Sequence, residues 1–99
     1  MNNRLYFQRR PAVRLRREGW GGLAFDRTSG DLLELDAEGF AALAVLAMPR
    51  TLRGLRAALR AQGLAGRLPE LARFVQALDD GGFLRRLGGP GPALAPRSG

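Results

Sequence analysis

The sequence predicts an α+β, winged-helix-like domain in which a three-stranded antiparallel β-meander is followed by three α-helices, βββααα. Three observations carry this expectation. Val13-Arg14-Leu15-Arg16-Arg17 alternates apolar and basic with the period of two that marks a half-buried strand. Two short apolar runs, Leu23–Phe25 and Leu32–Leu35, then flank the polar break Asp26-Arg27-Thr28-Ser29-Gly30-Asp31. That break suits a hairpin loop of four to five residues in which Gly30 supplies the positive φ. From Phe40 onward the apolar spacing becomes helical and stays so.

Residues 1–9 read as a flexible N-terminal arm whose sizeable apolar group is Leu5-Tyr6-Phe7, and Pro11 marks the domain edge. The first strand follows at Val13. Trp20-Gly21-Gly22 permits a bend or bulge, with Trp20 able to lie across the sheet. Gly22–Asp26 and Asp31–Leu35 complete the meander, which needs a helical cover to be stable. Asp36 is a good N-cap and Glu38 an acid in the first turn, so the first helix runs from about Ala37 to Met48 with Phe40, Leu43, Leu46 and Ala47 inward. Pro49 stops it. Thr51 caps a second helix carrying Leu52, Leu55 and Leu59, and Gly63 sits where a helix C′ residue belongs. After the connector Leu64–Leu68, Pro69 and Glu70 open a third helix with the stripe Leu71, Phe74, Val75, Leu78. Gly81-Gly82 ends it and Phe83-Leu84 anchors the exit. Residues 10–87 therefore form the domain, and the Gly/Pro-rich stretch 88–99 is expected to be disordered.

Composition narrows the function classes. At 99 residues and 45% hydrophobic, the chain can build one small core. It holds no cysteine and no histidine, and all sixteen of its basic residues are arginine, so the usual nucleophiles, bases and soft metal ligands are missing. No catalysis and no cofactor are expected. Asp31, Glu34, Asp36 and Glu38 have local explanations as a turn, an exposed strand face and a helix start, and Asp79-Asp80 as a solvated helix end. The N-terminus has no apolar signal region, and Phe40–Met48 is far too short to span a bilayer, so a cytoplasmic protein with no membrane partner is expected. The net charge of +7 admits nucleic acid, an acidic peptide or a basic solvated surface. Against nucleic acid, the third helix carries Glu70, Arg73, Asp79 and Asp80, a poor match to phosphate-lined grooves. Arg53, Arg56 and Arg60 share one face of the second helix and keep a winged-helix nucleic-acid-binding protein as the alternative.

The Arg10-Pro11 to Glu18-Gly19 approach, the strand Gly22-Leu23-Ala24-Phe25-Asp26, the Thr28–Gly30 turn and the strand Leu33–Leu35 together resemble a known family. So does the closing helix Leu71-Ala72-Arg73-Phe74-Val75-Gln76-Ala77-Leu78 with Gly82-Phe83-Leu84. Over residues 10 to 86 the chain is similar to the PqqD-like peptide chaperones, the recognition elements of ribosomally made, post-translationally modified peptides (RiPP recognition elements). Glu18-Gly19-Trp20-Gly21-Gly22-Leu23-Ala24 looks more like the mycofactocin type than the quinone-cofactor type. The resemblance implies binding of the leader segment of a precursor peptide by strand addition and its presentation to a modifying enzyme, a radical SAM protein in many members. It places Leu32, Leu33, Glu34 and Leu35 on the receiving edge and Arg73, Phe74, Ala77 and Leu78 on the helical wall beside it. Phe74 and Leu78 also fit the core stripe, and either phase of the strand could face the leader. The residues support an open edge independently. The last strand of a meander keeps one unpaired row of N–H and C=O groups, and Asp31–Leu35 has neither Pro nor Lys to blunt it. The same edge could pair with a second copy as a homodimer. From the net charge, the leader is expected to carry Asp and Glu.

Overall fold

The computed structural model describes residues 5–64 and 66–88. Its elements run β1 (Leu5–Arg9), β2 (Val13–Glu18), β3 (Gly21–Asp26), β4 (Leu32–Asp36), α1 (Ala37–Val45), α2 (Leu52–Ala61), α3 (Leu68–Asp80) and β5 (Leu84–Gly88). β2, β3 and β4 form the expected antiparallel meander, in unbroken register from Val13↔Asp26 to Glu18↔Gly21 and from Gly21↔Asp36 to Phe25↔Leu32. The two-residue period sends Val13, Ala24 and Leu35 into the core under the helices, and leaves Arg14, Arg16, Phe25 and Leu32 exposed. Trp20 does not lie across the sheet. It sits in the β2–β3 turn, exposed.

Each helix starts where its cap dictates. The Asp36 carboxylate accepts the Gly39 N–H at 2.7 Å, and the Thr51 hydroxyl accepts the Gly54 N–H at 3.1 Å. α3 begins one residue earlier than expected, at Leu68, with Pro69 in its first turn. α1 is shorter than its apolar stripe predicts, ending at Val45 rather than Met48. Its last carbonyls are claimed from outside. Arg50 Nε donates to Val45 O at 2.7 Å, the Arg9 N–H to Leu46 O at 2.7 Å, and Gln8 Nε2 to Ala47 O at 2.9 Å. Ala47, expected inside, is consequently exposed. Phe40, Leu43 and Leu46 of this segment meet Leu55 and Leu59 of α2 and Leu71, Val75 and Leu78 of α3 in one core. Fully burying such side chains contributes about 1.5–3 kcal/mol each.

The first strand was not expected. The described part of the arm, Leu5–Arg9, is β1, and it pairs antiparallel with β5 from Leu5↔Gly88 to Arg9↔Leu84 as a second, two-stranded sheet. Phe7 packs on the core, and its N–H and C=O exchange hydrogen bonds with Arg50 at 2.8 and 2.9 Å. The domain therefore extends at both ends beyond 10–87, from residue 5 to residue 88. Of the expected tail, 89–99 lies outside the described residues, as do 1–4 of the arm.

A buried carboxylate ties this outer ribbon to the meander. Asp26, 3% exposed, accepts from the backbone N–H groups of Thr28 at 2.8 Å and Ser29 at 3.4 Å. Arg10 Nη1 reaches both Asp26, at 3.0 Å, and the Gly82 carbonyl, at 2.8 Å. The Thr28 N–H, helped by Ser29 and Arg10 and opposed by desolvation, holds the Asp26 carboxyl below its ordinary value of 3.8. A carboxyl depressed in the folded state stabilises the fold fully above its unfolded pKa, near 4, and that contribution is lost as pH falls through the lower folded value. The stability difference between the parent and Asp26→Asn should thus be largest at neutral pH and shrink below about pH 4. Urea titrations from pH 7 to pH 2.5 check this; a difference that stays constant would exclude the assignment.

Candidate functional site

The free edge of β4 has a definite phase. The Asp26 N–H donates to Asp31 O at 2.9 Å, in the same register that pairs Ala24 with Leu33 and Gly22 with Leu35. Hydrogen-bonded and non-hydrogen-bonded pairs alternate along an antiparallel ladder, so Leu33 and Leu35 direct their backbone groups at β3. Leu32 and Glu34 direct theirs outward, and among the described residues no strand receives them. Phase, left open by the sequence, is settled by one turn hydrogen bond.

Beside this edge lies a groove of about 300 Å³, lined by Glu34, Leu35 and Asp36 of β4, by Glu38, Gly39 and Ala42 of α1, and by Leu59 of α2. Gly66 and Arg67 of the α2–α3 loop and Glu70, Leu71 and Phe74 of α3 complete the lining. Its floor is apolar because small residues at i and i+3 of α1, Gly39 and Ala42, let Leu71 and Phe74 approach. A Cβ on Gly39 would sit 3.2 Å from Phe74 Cζ and 3.4 Å from Leu35 Cδ2, tighter than ordinary contact. The rim is charged. Asp36 is held by its capping bond, and Glu70 faces Arg67 at 3.9 Å. Glu34 and Glu38 have no ion-pair partner among the described residues.

Of the residues expected at the site, Glu34, Leu35 and Phe74 line the groove. Leu32 lies on the edge strand and is 61% exposed on the outer sheet face, whereas Leu33 packs half-buried against the core. On α3, Leu78 is core and not wall. Arg73 and Ala77 are exposed and outside the groove lining; Ala77 stands one turn beyond Phe74. Sequence reasoning missed Asp36, Glu38, Gly39, Ala42, Leu59, Gly66, Arg67, Glu70 and Leu71. The available signal was the pair of acidic first turns, Glu38 and Glu70, at the starts of two helices that must both pack near the last strand.

Of the α2 arginines, Arg53 stands apart from this groove, whereas Arg56 and Arg60 adjoin its rim in a depression shared with Gly66, Arg67 and Glu70. Arg53, Arg56 and Arg60 line a shallow depression with Ala57, and Arg56 Nε donates to the Gly66 carbonyl at 3.3 Å. On α3 the polar residues are engaged locally: Gln76 Nε2 donates to Asp80 at 2.8 Å, and Asp79 pairs with Arg86 at 3.4 Å. Among the described residues no three carboxylates converge as a metal site would require, and no helix is long and apolar enough to cross a membrane.

No protein-family model matches the chain, and no curated protein does. Its fold is shared with a solved structure of a lasso peptide synthetase B1 complexed with the leader peptide. That match has a TM-score of 0.62 and 17% identity, and covers 80% of this chain and 96% of the other. At that identity the similarity is one of architecture alone.

Proposed function

We propose that this chain is a PqqD-like RiPP recognition element that takes the leader segment of a ribosomally made precursor as an added strand on β4. It presents that precursor to a modifying enzyme, which the mycofactocin-type features of Glu18–Ala24 make a radical SAM protein. It acts by binding and performs no chemistry of its own. The observation that carries this reading is the pairing of outward backbone groups at Leu32 and Glu34 with an apolar-floored groove beside the same edge. Backbone bonds then supply affinity and the groove supplies side-chain selection. The shared fold with a leader-peptide complex supports the reading.

A second reading, nucleic-acid binding, is favoured by one feature, the α2 stripe Arg53, Arg56 and Arg60. α3 offers a groove-reading role little, since Arg73 is its single cation and Gln76 is hydrogen-bonded to Asp80. Titrating the isotope-labelled chain with the leader of a precursor encoded beside its gene separates the two. Amide shifts should concentrate at Leu32, Glu34, Gly39, Gly66 and Phe74, and Arg53→Ala, at the α2 arginine clear of the groove rim, should leave leader affinity within about twofold. Duplex binding lost in Arg53→Ala/Arg56→Ala/Arg60→Ala, with no leader-induced shifts at β4, would favour nucleic acid instead.

A further inference from the structure

Charge is segregated over this molecule in a way its net value of +7 conceals. Four of the chain's nine acidic residues, Glu34, Asp36, Glu38 and Glu70, line the groove beside β4, and Arg67 is the one arginine among the described residues that does. Arg56 and Arg60 adjoin Glu70 and Arg67 at the α3 end, so the acidic field belongs to the β4–α1 end, where Glu34, Asp36 and Glu38 carry a formal −3. The N-terminus of α1 opens onto that end and offsets about half a charge, which leaves about −2.5. Glu34 and Glu38 are without ion-pair partners among the described residues, and the four carboxylates do not converge as metal ligands. The carboxylates also sit on both sides of the edge. Glu34 is exposed on the outer sheet face, whereas Glu38 and Glu70 flank the groove on the helical side.

Resting on the leader-binding reading, we propose that the strand accepted by β4 is cationic. Its groove-side positions carry an apolar residue toward Leu71 and Phe74 and a Lys or Arg toward Glu38. Its outer-face positions favour a base opposite Glu34, since opposite charges directly across a ladder stabilise pairing. The local field, and not the protein's net charge, selects the occupant. An acid-bearing leader, the expectation from composition, would place like charges a few ångströms apart at each of these points.

Selection of random twelve-residue peptides displayed on phage against the full-length chain tests this without a known ligand. Peptides are retained only if Leu32→Pro, which removes an outward donor of the edge without changing its charge, weakens them. Because the chain is +7, nonspecific attraction enriches acidic peptides, so the expected result runs against it: edge-dependent peptides rich in Lys and Arg. For such a peptide, Glu38→Gln should reduce affinity about fivefold at low salt and leave its Lys→Gln analogue unchanged. Edge-dependent peptides that are neutral or acidic, or that ignore Glu38→Gln, overturn the cationic assignment while leaving strand addition standing. If no selected peptide depends on Leu32, strand addition itself fails, and the assignment with it.

Discussion

A methyl group placed on Gly22 is expected to dismantle the sheet. Gly22 lies on β3 facing α1, and the Phe40 ring rests directly on its Cα, so a Cβ there would overlap that ring. It would also approach the Arg16 carbonyl to 2.7 Å, and that oxygen belongs to the neighbouring strand. A ring can turn, but backbone cannot. Ordinary overpacking costs about 1–3 kcal/mol, and the backbone contact puts Gly22→Ala at or above the top of that range. For a domain of this size each kcal/mol lowers Tm by about 4–8 °C, so a fall of 15 °C or more is expected in thermal melts. Gly30→Ala is the control. That glycine has φ of +83° but open space around its Cβ, so it should lose only the conformational cost of about 1–2 kcal/mol. Equal losses for the two would contradict the packing argument. Truncating Phe40 should rescue Gly22→Ala only in part, because the Arg16 carbonyl stays where it is.

Proline scanning of β4 should split cleanly by parity. Leu33→Pro removes a donor to β3 and strands the Ala24 carbonyl, a loss of about 1–3 kcal/mol before any ring clash. Glu34→Pro removes a donor that faces outward, so its melting temperature should change by only a few degrees, while affinity for a bound strand falls about tenfold or more. Leu32→Pro should behave like Glu34→Pro, and Leu35→Pro like Leu33→Pro. Circular dichroism melts and a binding titration on all four variants check the pattern. A folded Glu34→Pro that binds with parental affinity would remove β4 as the receiving edge.

Local chemistry made the meander and helices legible. Asp36 and Thr51 announce helix starts because a cap acts within three residues, and both cap as the sequence predicts. Gly30 takes the positive φ its loop demands. Legibility ends where contacts become distant. Leu5–Arg9 has no alternation of its own, and its partner strand begins at Leu84, across nearly the whole domain, so a strand read as an arm. The α3 stripe was correct as a stripe, but its rotation against α1 decides that Leu71 and Phe74 line the groove while Val75 and Leu78 do not. Groove charge was illegible for the same reason. Glu34, Asp36, Glu38 and Glu70 each had a sufficient local explanation, and only the packing of β4, α1 and α3 brings them to one groove.

Pairing of β1 with β5 has an architectural consequence. Leu5 and Gly88 are cross-strand partners, so the two ends of the folded unit stand about 5 Å apart. They emerge together on the ribbon, and the receiving edge of β4 belongs to a different sheet. A unit with adjacent ends can be spliced into a surface loop of a larger enzyme at little cost in loop closure, and can equally stand alone. The architecture is that of a cassette: the open strand edge and the paired chain ends occupy separate parts of the same small domain.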